Sequence, residues 1–463
     1  MTKLSFNEFD AVSSKQWKQK IQFDLKGADY NKTLLTHTNE GITINPFYHL
    51  DQTKYLDVKL PDKHFKICET IFVDDAVIAN KLAKKALLNG ATALRFVALK
   101  PFDINLLLNK VNAKNNNNSS LHLYFELDFF SQNFITKLFK ETSQYKIFLN
   151  CDIIGHLAKT GNWFFNKKTD FKILAAIFKS ATNKINVLGV NAGLYQNAGA
   201  NLVQQVAYAL AHVNEYLNAF LHGVIEPNLT NKIQVNFAVG GQFFPEIAKL
   251  RAFRYLFNLI AKEYHFDLNL EIFVEPSLRN KSIYDYNVNM LRTTTECMSA
   301  IIGGANMMSN VSYDAIFHKS NAFGQRIARN QLLILQEESY FKNVQQAVKG
   351  TYYIEALSIQ IADKALKIFK EIEQKGGFIK QLMAGVVQRK INENAKKELA
   401  QFDTGELSFI GVNKYPNLQD KMGEDLELYP FLKTKPHKTL IQPIVPKRLS
   451  EKLEKERLAK ENV

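Results

Sequence analysis

Two rhythms of apolar and polar positions divide the chain. From about residue 70 to 345, short runs of apolar, β-branched and aromatic residues recur at Ala93–Ala98, Leu121–Leu127, Lys146–Asp152, Ile185–Val190, Ile233–Val239 and Leu268–Val274. Helical patterns alternate with them over Ala76–Leu88, Leu202–Leu217, Glu246–Ala261 and Thr293–Ile302. Strands apolar on both faces and separated by helices mark parallel β/α units, because the crossover helices bury the sheet. About eight such units in roughly 270 residues is the size of a closed barrel. An open doubly wound sheet would place a glycine-rich phosphate turn after an early strand, and neither G-x-G-x-x-G nor G-x-x-x-x-G-K-[ST] occurs. The pattern predicts an α/β fold, a (β/α)8 TIM barrel over residues 61–355.

The flanks read differently. Residues 1–60 form an extended N-terminal arm. A short helix begins at Ser13-Ser14, places Trp17 and Ile21 four apart on one face, and stops near Gly27. Gly41 to Tyr48 is extended, since Pro46 lacks a donor and turns its neighbour away from helix. Trp17, Tyr30, Phe47 and Tyr48 lie outside any evident core, so they either wrap this barrel or pack on a partner. Residues 356–415 predict a helical extension, Ala356–Gln374 and Phe378–Leu399, divided by Gly376-Gly377. Residues 416–463 predict an extended tail, with Pro416, Pro430, Pro436, Pro443 and Pro446, ending in a charged helix. There Glu451/Lys455 and Glu456/Lys460 are spaced as i,i+4 pairs, which predicts a solvated helix. The run Asn115–Asn118 reads as a loop between barrel units.

Composition narrows the chemistry. The 463 residues carry a formal net charge of +14. The lysines are scattered, and no basic block is interleaved with aromatics as a single-strand binder requires, so the excess reads as solvated surface. Cys68, Cys151 and Cys297 form no C-x-x-C pair, and the ten histidines form no H-E-x-x-H. Neither a disulfide framework nor a metal site is expected. His156, after an apolar run, is either a site residue or a packing one. No window reaches the ~18 apolar residues of a membrane helix, and the N-terminus lacks an apolar signal region; a cytoplasmic location is the expectation.

Several segments resemble one family in the family's own order. The strongest starts at Leu291-Arg292-Thr293-Thr294-Thr295-Glu296, reaches Gly303-Gly304-Ala305, and resumes at Phe323-Gly324-Gln325-Arg326 through Glu338. A second runs from Phe243-Phe244-Pro245-Glu246 to Arg251-Ala252-Phe253-Arg254, and a third from Trp17 to Gly27-Ala28-Asp29-Tyr30. Fainter echoes are Gly350–Glu355 and Gly411–Tyr415. Together they resemble the methylmalonyl-CoA mutase family, most of all its small, beta-subunit branch. That resemblance implies a (β/α)8 barrel admitting a CoA thioester along its axis, covered at its C-terminal end by an adenosylcobalamin-binding domain. The implied reaction is the radical interconversion of methylmalonyl-CoA and succinyl-CoA.

The chain departs from that pattern at each catalytic position. The cobalamin-binding D-x-H-x-x-G sequence is missing, and too little chain follows residue 415 for another α/β domain. Thr70 takes the place of the family's substrate-contacting tyrosine, Leu194 that of the barrel histidine, and Ser309 that of the second histidine. By a looser alignment, Thr160 replaces an arginine. The resemblance therefore implies no catalytic residue and no cofactor on this chain. It implies a non-catalytic small subunit that forms a heterodimer with a large (alpha) subunit and stabilises it, adenosylcobalamin being held by that partner. Arg292 is a candidate contact for a CoA phosphate or carboxylate. The structural alternative is that Arg292, Arg326 and Arg329, like the charges at Glu246, Lys249, Arg251 and Arg254, form buried ion pairs. Gly303-Gly304 either approaches a ligand or packs helix on strand, and Tyr195, Tyr352 and Tyr353 are site phenols or core. Two rival readings are a competent barrel served by a cobalamin domain on a separate chain, and a regulatory protein binding CoA or nucleic acid.

Overall fold

The computed structural model describes residues 10–61, 64–112, 121–226, 232–344, 346–432 and 437–461. The asparagine run at 115–118 and Pro436 lie outside them. In the arm, β1 (Thr36–His37) and β2 (Thr43–Ile44) pair antiparallel. Then come β3 (Lys66–Phe72), β4 (Ala93–Ala98), β5 (His122–Leu127), β6 (Lys146–Leu149), β7 (Ile185–Asn186), β8 (Gly189–Asn191), β9 (Lys232–Val239), β10 (Asn269–Pro276) and β11 (Met307–Met308). All pair in parallel in the order β7-β6-β5-β4-β3-β11-β10-β9-β8. The order closes on itself because β7 and β8 are halves of one strand. Between them Val187 O accepts from Cys151 N on one side (3.1 Å), and Leu188 O from Gln234 N on the other (3.3 Å). The result is a (β/α)8 TIM-barrel fold.

Alternation along the strands makes two cores. Residues such as Leu94, Phe96, Leu123, Phe125, Val235 and Ile272 face outward into the layer between sheet and helices. The intervening residues Cys68, Ala93, Tyr124, Phe148, Phe273 and Met307 form a separate cluster inside the barrel. Helix starts are fixed by side-chain caps. Asp75 accepts from Val77 N and Ile78 N ahead of Ala76–Leu88, and Asn201 with Gln204 forms a capping box ahead of Leu202–Leu221.

The flanks depart from the sequence reading in two places. The second extension helix is not continuous. It divides into Phe378–Met383 and Val386–Asp403 at Gly385, whose φ of 69° lies in the left-handed region that ends helices. The first, Tyr352–Gln374, lays Ile354, Leu357, Ile361 and Ala365 against the barrel helices. The terminal helix, Glu451–Glu461, is solvated on one face and buries Glu451 and Glu454 on the other. Glu454 is 0% exposed, pairs with Arg448 at 2.6 Å and accepts from Ile283 N at 3.1 Å. Neither expected i,i+4 pair forms, and Lys455 lies 5.0 Å over the Phe431 ring. Periodicity missed this because carboxylates set by the tail's route replaced the local pairs. The tail itself is stitched to the barrel: Ile444 N donates to Ala158 O (2.7 Å), Lys447 N to Asn197 O (2.9 Å) and Leu449 N to Arg279 O (2.9 Å). Among the described residues no helix is long and apolar enough to cross a membrane.

Candidate functional site

In this fold, chemistry gathers where the strands end. At that mouth lies a cavity of about 500 Å³ whose walls include Thr70, Arg95, Leu194, Glu275 and Ser309, with Leu428 and Pro446 of the tail above. The fold thus brings together Thr70, Leu194 and Ser309, from three distant segments. The Thr70 and Ser309 hydroxyls bond each other at 2.8 Å, so neither is poised by a base. Thr160 is elsewhere. It ends the helix Ile153–Thr160, where its hydroxyl donates to His156 O and Asn162 O.

Most of the mouth's charges are already paired. Arg95, projecting from β4, forks onto Glu275 of β10 with bonds of 2.6 and 2.5 Å, and lies 3.7 Å from Glu126 of β5. Burial opposes its charge, but Glu275 and Glu126 outweigh that and hold the guanidinium more firmly protonated than usual. Arg329 meets Glu69 at 3.1 Å; burial raises the Glu69 carboxyl despite that partner. His318 rests 3.3 Å from Asp314 and against the Phe317 ring. Cys68 also lines the cavity, and burial pushes its thiol upward, away from a reactive thiolate.

Beneath the mouth the barrel axis is filled. Tyr124 stacks on Phe148 with ring centroids 4.4 Å apart and interplanar angle 9°, and Phe273 closes the layer 5.7 Å away. Arg95 lies 5.0 Å above the Phe273 ring. These aromatic side chains are all buried and pack on one another across the barrel interior. The tail covers part of the mouth, and its histidine, His318, faces a carboxylate and a ring. No group of three or more His, Cys, Asp or Glu suited to a metal occurs among the described residues.

A second cluster escaped sequence reading. Asp152 accepts from His212 Nε2, Tyr216 OH, Gly155 N and Asn191 N, each at 2.8 Å, and His212 Nδ1 meets the Tyr195 hydroxyl at 2.9 Å. Burial alone would raise the Asp152 carboxyl, but His212 and the backbone donors outweigh it and hold it low. His212 and both tyrosines are fully buried, so the network locks helix Leu202–Leu221 to β8 and the start of helix Ile153–Thr160. His156 packs instead, its ring 3.6 Å from that of Phe164.

The remaining candidates make the following contacts within the chain. Arg292 donates to Ser282 Oγ and Asn289 Oδ1 and lies 4.1 Å over the Phe409 ring, outside the mouth lining. Burial lowers its pKa to about 10. Arg326 sits on the Phe323 ring instead of in an ion pair. Arg251 pairs with Glu355 and Lys249 with Glu246, both at 2.5 Å, while Arg254 donates to Gly304 O and Asn306 Oδ1. A Cβ on Gly303 would meet Leu250 at 2.9 Å, and one on Gly304 would meet Leu60 at 2.6 Å: the pair serves packing. Tyr353 packs on Tyr48 and Phe244. In the arm, Tyr30 is buried, Phe47 and Tyr48 are half-buried, and Trp17 stays 48% exposed beside Phe47.

Comparison with known proteins agrees with this layout. Residues 135–455 match the family model described as methylmalonyl-CoA mutase. The chain is 31% identical over 454 residues to the methylmalonyl-CoA mutase small subunit of Porphyromonas gingivalis, covering 91% of this chain and 73% of that protein. It is 34% identical over 272 residues to the methylmalonyl-CoA mutase of Cereibacter sphaeroides, covering 57% of this chain and 38% of that one. With the mitochondrial enzyme of Homo sapiens the figures are 32% over 273 residues, 57% and 36%. A match across most of the chain, on a barrel of the expected topology, identifies it: the chain belongs to the methylmalonyl-CoA mutase family.

Proposed function

We propose that this chain is the non-catalytic small subunit of a heterodimeric methylmalonyl-CoA mutase, stabilising a cobalamin-bearing large subunit that interconverts methylmalonyl-CoA and succinyl-CoA in the propionate metabolism of the cytoplasm. One observation carries the reading: Tyr124, Phe148 and Phe273 fill the axis along which a thioester would have to lie. Thr70, Leu194 and Ser309 above them supply no acid, base or electrophile. The same filled axis counts against a competent barrel served by a cobalamin domain from another chain. The arm supplies the contact surface. Its helix Ser14–Asp24 buries only Ser14 of its own residues and leaves Trp17 48% and Phe23 80% exposed. An isolated helix of that length is marginal in water, and a buried Trp is a strong interface anchor.

Co-expression with the large subunit tests the proposal. The two chains should co-purify, and the isolated small chain should neither bind adenosylcobalamin nor turn over methylmalonyl-CoA. Turnover by the isolated chain would overturn the non-catalytic role, and failure to form a complex would overturn the partnership.

A further inference from the structure

A second cavity, about 330 Å³, lies away from the mouth, between helix Val386–Asp403 and the tail at Gln442–Leu449. That is the lower end of the size range of small-molecule sites. Its apolar floor comes from Ile391, Ile444 and Leu449, all buried, while the small Ala198 and Ala395 leave it unfilled. Its charged lining is of one sign: Arg279, Lys396, Lys447 and Arg448, with no carboxylate. Arg279 is neutralised from behind by Glu398 at 2.7 Å, and Arg448 by Glu454 at 2.6 Å. Lys396 and Lys447 form no ion pair among the described residues and stand exposed at the rim.

Two wall residues each hold one unpartnered atom buried within the wall and closed off from the cavity. Arg448 is 6% exposed and spends Nη1 and Nη2 on Lys281 O, Ser450 Oγ, Pro430 O and Glu454, yet its Nε has no partner. Gln388 is 2% exposed and gives Nε2 to Leu382 O and Gln442 O, yet its Oε1 has none.

We propose that this cavity binds a free, small amphipathic carboxylate, with the apolar body against Ile391, Ile444 and Leu449 and the anion held by Lys396 and Lys447 at the rim. No such site follows from the subunit role, and the inference stands whether or not the chain pairs with a large subunit.

Octanoate is the probe, titrated calorimetrically into the full chain. One equivalent should bind saturably with a Kd below about 1 mM. Octanol and octyltrimethylammonium should bind at least tenfold more weakly. The exposed double variant Lys396→Glu/Lys447→Glu should lose at least tenfold in octanoate affinity, and Val445→Trp, at the 40% exposed lip, should block the cavity. Absence of saturable binding, equal affinity for the alcohol or the cation, or binding unchanged in Val445→Trp would each overturn the site. The octanoate, octanol and octyltrimethylammonium comparison uses the unaltered chain, so it does not depend on any variant folding. Co-sedimentation with phosphatidylglycerol vesicles in place of octanoate binding would overturn the free-acid reading.

Discussion

Two tyrosines of this barrel should respond in opposite directions to the same substitution. Tyr124 is 0% exposed, and its hydroxyl, on the aromatic layer of the axis, has no partner. Tyr145 is 2% exposed, but its hydroxyl donates to Val111 O at 2.7 Å. Tyr→Phe removes one oxygen at either site and leaves the ring packing in place. At Tyr145 it breaks a buried hydrogen bond and strands a carbonyl, costing about 1–3 kcal/mol. At Tyr124 it removes a desolvated group that nothing repays, so stability should rise by about 1 kcal/mol. At ~2 cal/mol/K per residue, the 463-residue chain has an unfolding entropy near 1 kcal/mol/K. The two variants should therefore separate by at least ~2 °C in Tm, on either side of the parent. Differential scanning calorimetry of all three proteins at one pH and concentration reads this directly. If Tyr124→Phe lowered Tm as far as Tyr145→Phe, the Tyr124 hydroxyl would be solvated or bonded. The claim that the axis is a dry, filled layer would then fail.

Further expectations follow from other contacts. Burial, then the nearby Glu215 carboxylate, raises Glu373 from 4.5 to about 7. A carboxyl that holds its proton more tightly when folded stabilises the fold fully below pH 4.5, and that advantage fades as pH rises towards 7; Glu373→Gln should flatten the denaturant midpoint across this window and exceed the parent at pH 8. Arg251→Met would leave Glu355 buried and unpaired, costing about 3–5 kcal/mol, and adding Glu355→Met should recover part of it. Hydrogen exchange should show helix Tyr352–Gln374 loosening in the single variant alone. Trp17→Ala should leave the chain's own Tm unchanged but weaken complex formation with the large subunit by ~30-fold or more, read by titration calorimetry. Unchanged affinity would remove Trp17 from the interface.

The fold was legible where both faces of an element carry the same message. Ala93–Ala98 and Ala76–Leu88 are strand and helix as their apolar runs demand. Two barrel strands were not. β3 interrupts its apolar run with Glu69 and Thr70, one facing Arg329 and the other the mouth, and β11 is only Met307–Met308 behind a glycine pair. Strand character there comes from neighbours, not from local pattern. The site divides in the same way. Thr70, Leu194 and Ser309 could be placed at the mouth only by resemblance, since no spacing links them. The Asp152–His212 contact spans 60 residues and leaves no local trace, because a lone histidine in an apolar helix looks like any core residue. The cavity's cations were hidden in a uniformly lysine-rich background.

The stitched tail also sets a clock. Leu440 N donates to the side chain of Asn162 across a sequence separation of 278 residues. At translation rates of ~5–20 residues per second, the end of helix Ile153–Thr160 waits roughly 15–55 s for that contact. Until then the Gly161 and Ala158 carbonyls lack the tail amides from which they accept in the finished fold. Forming so long a loop late makes the docking of the tail on this helix a late step of folding. On a polysome, nascent chains would carry a formed barrel wall before the tail has docked, and that uncovered seam is a surface chaperones and proteases would meet.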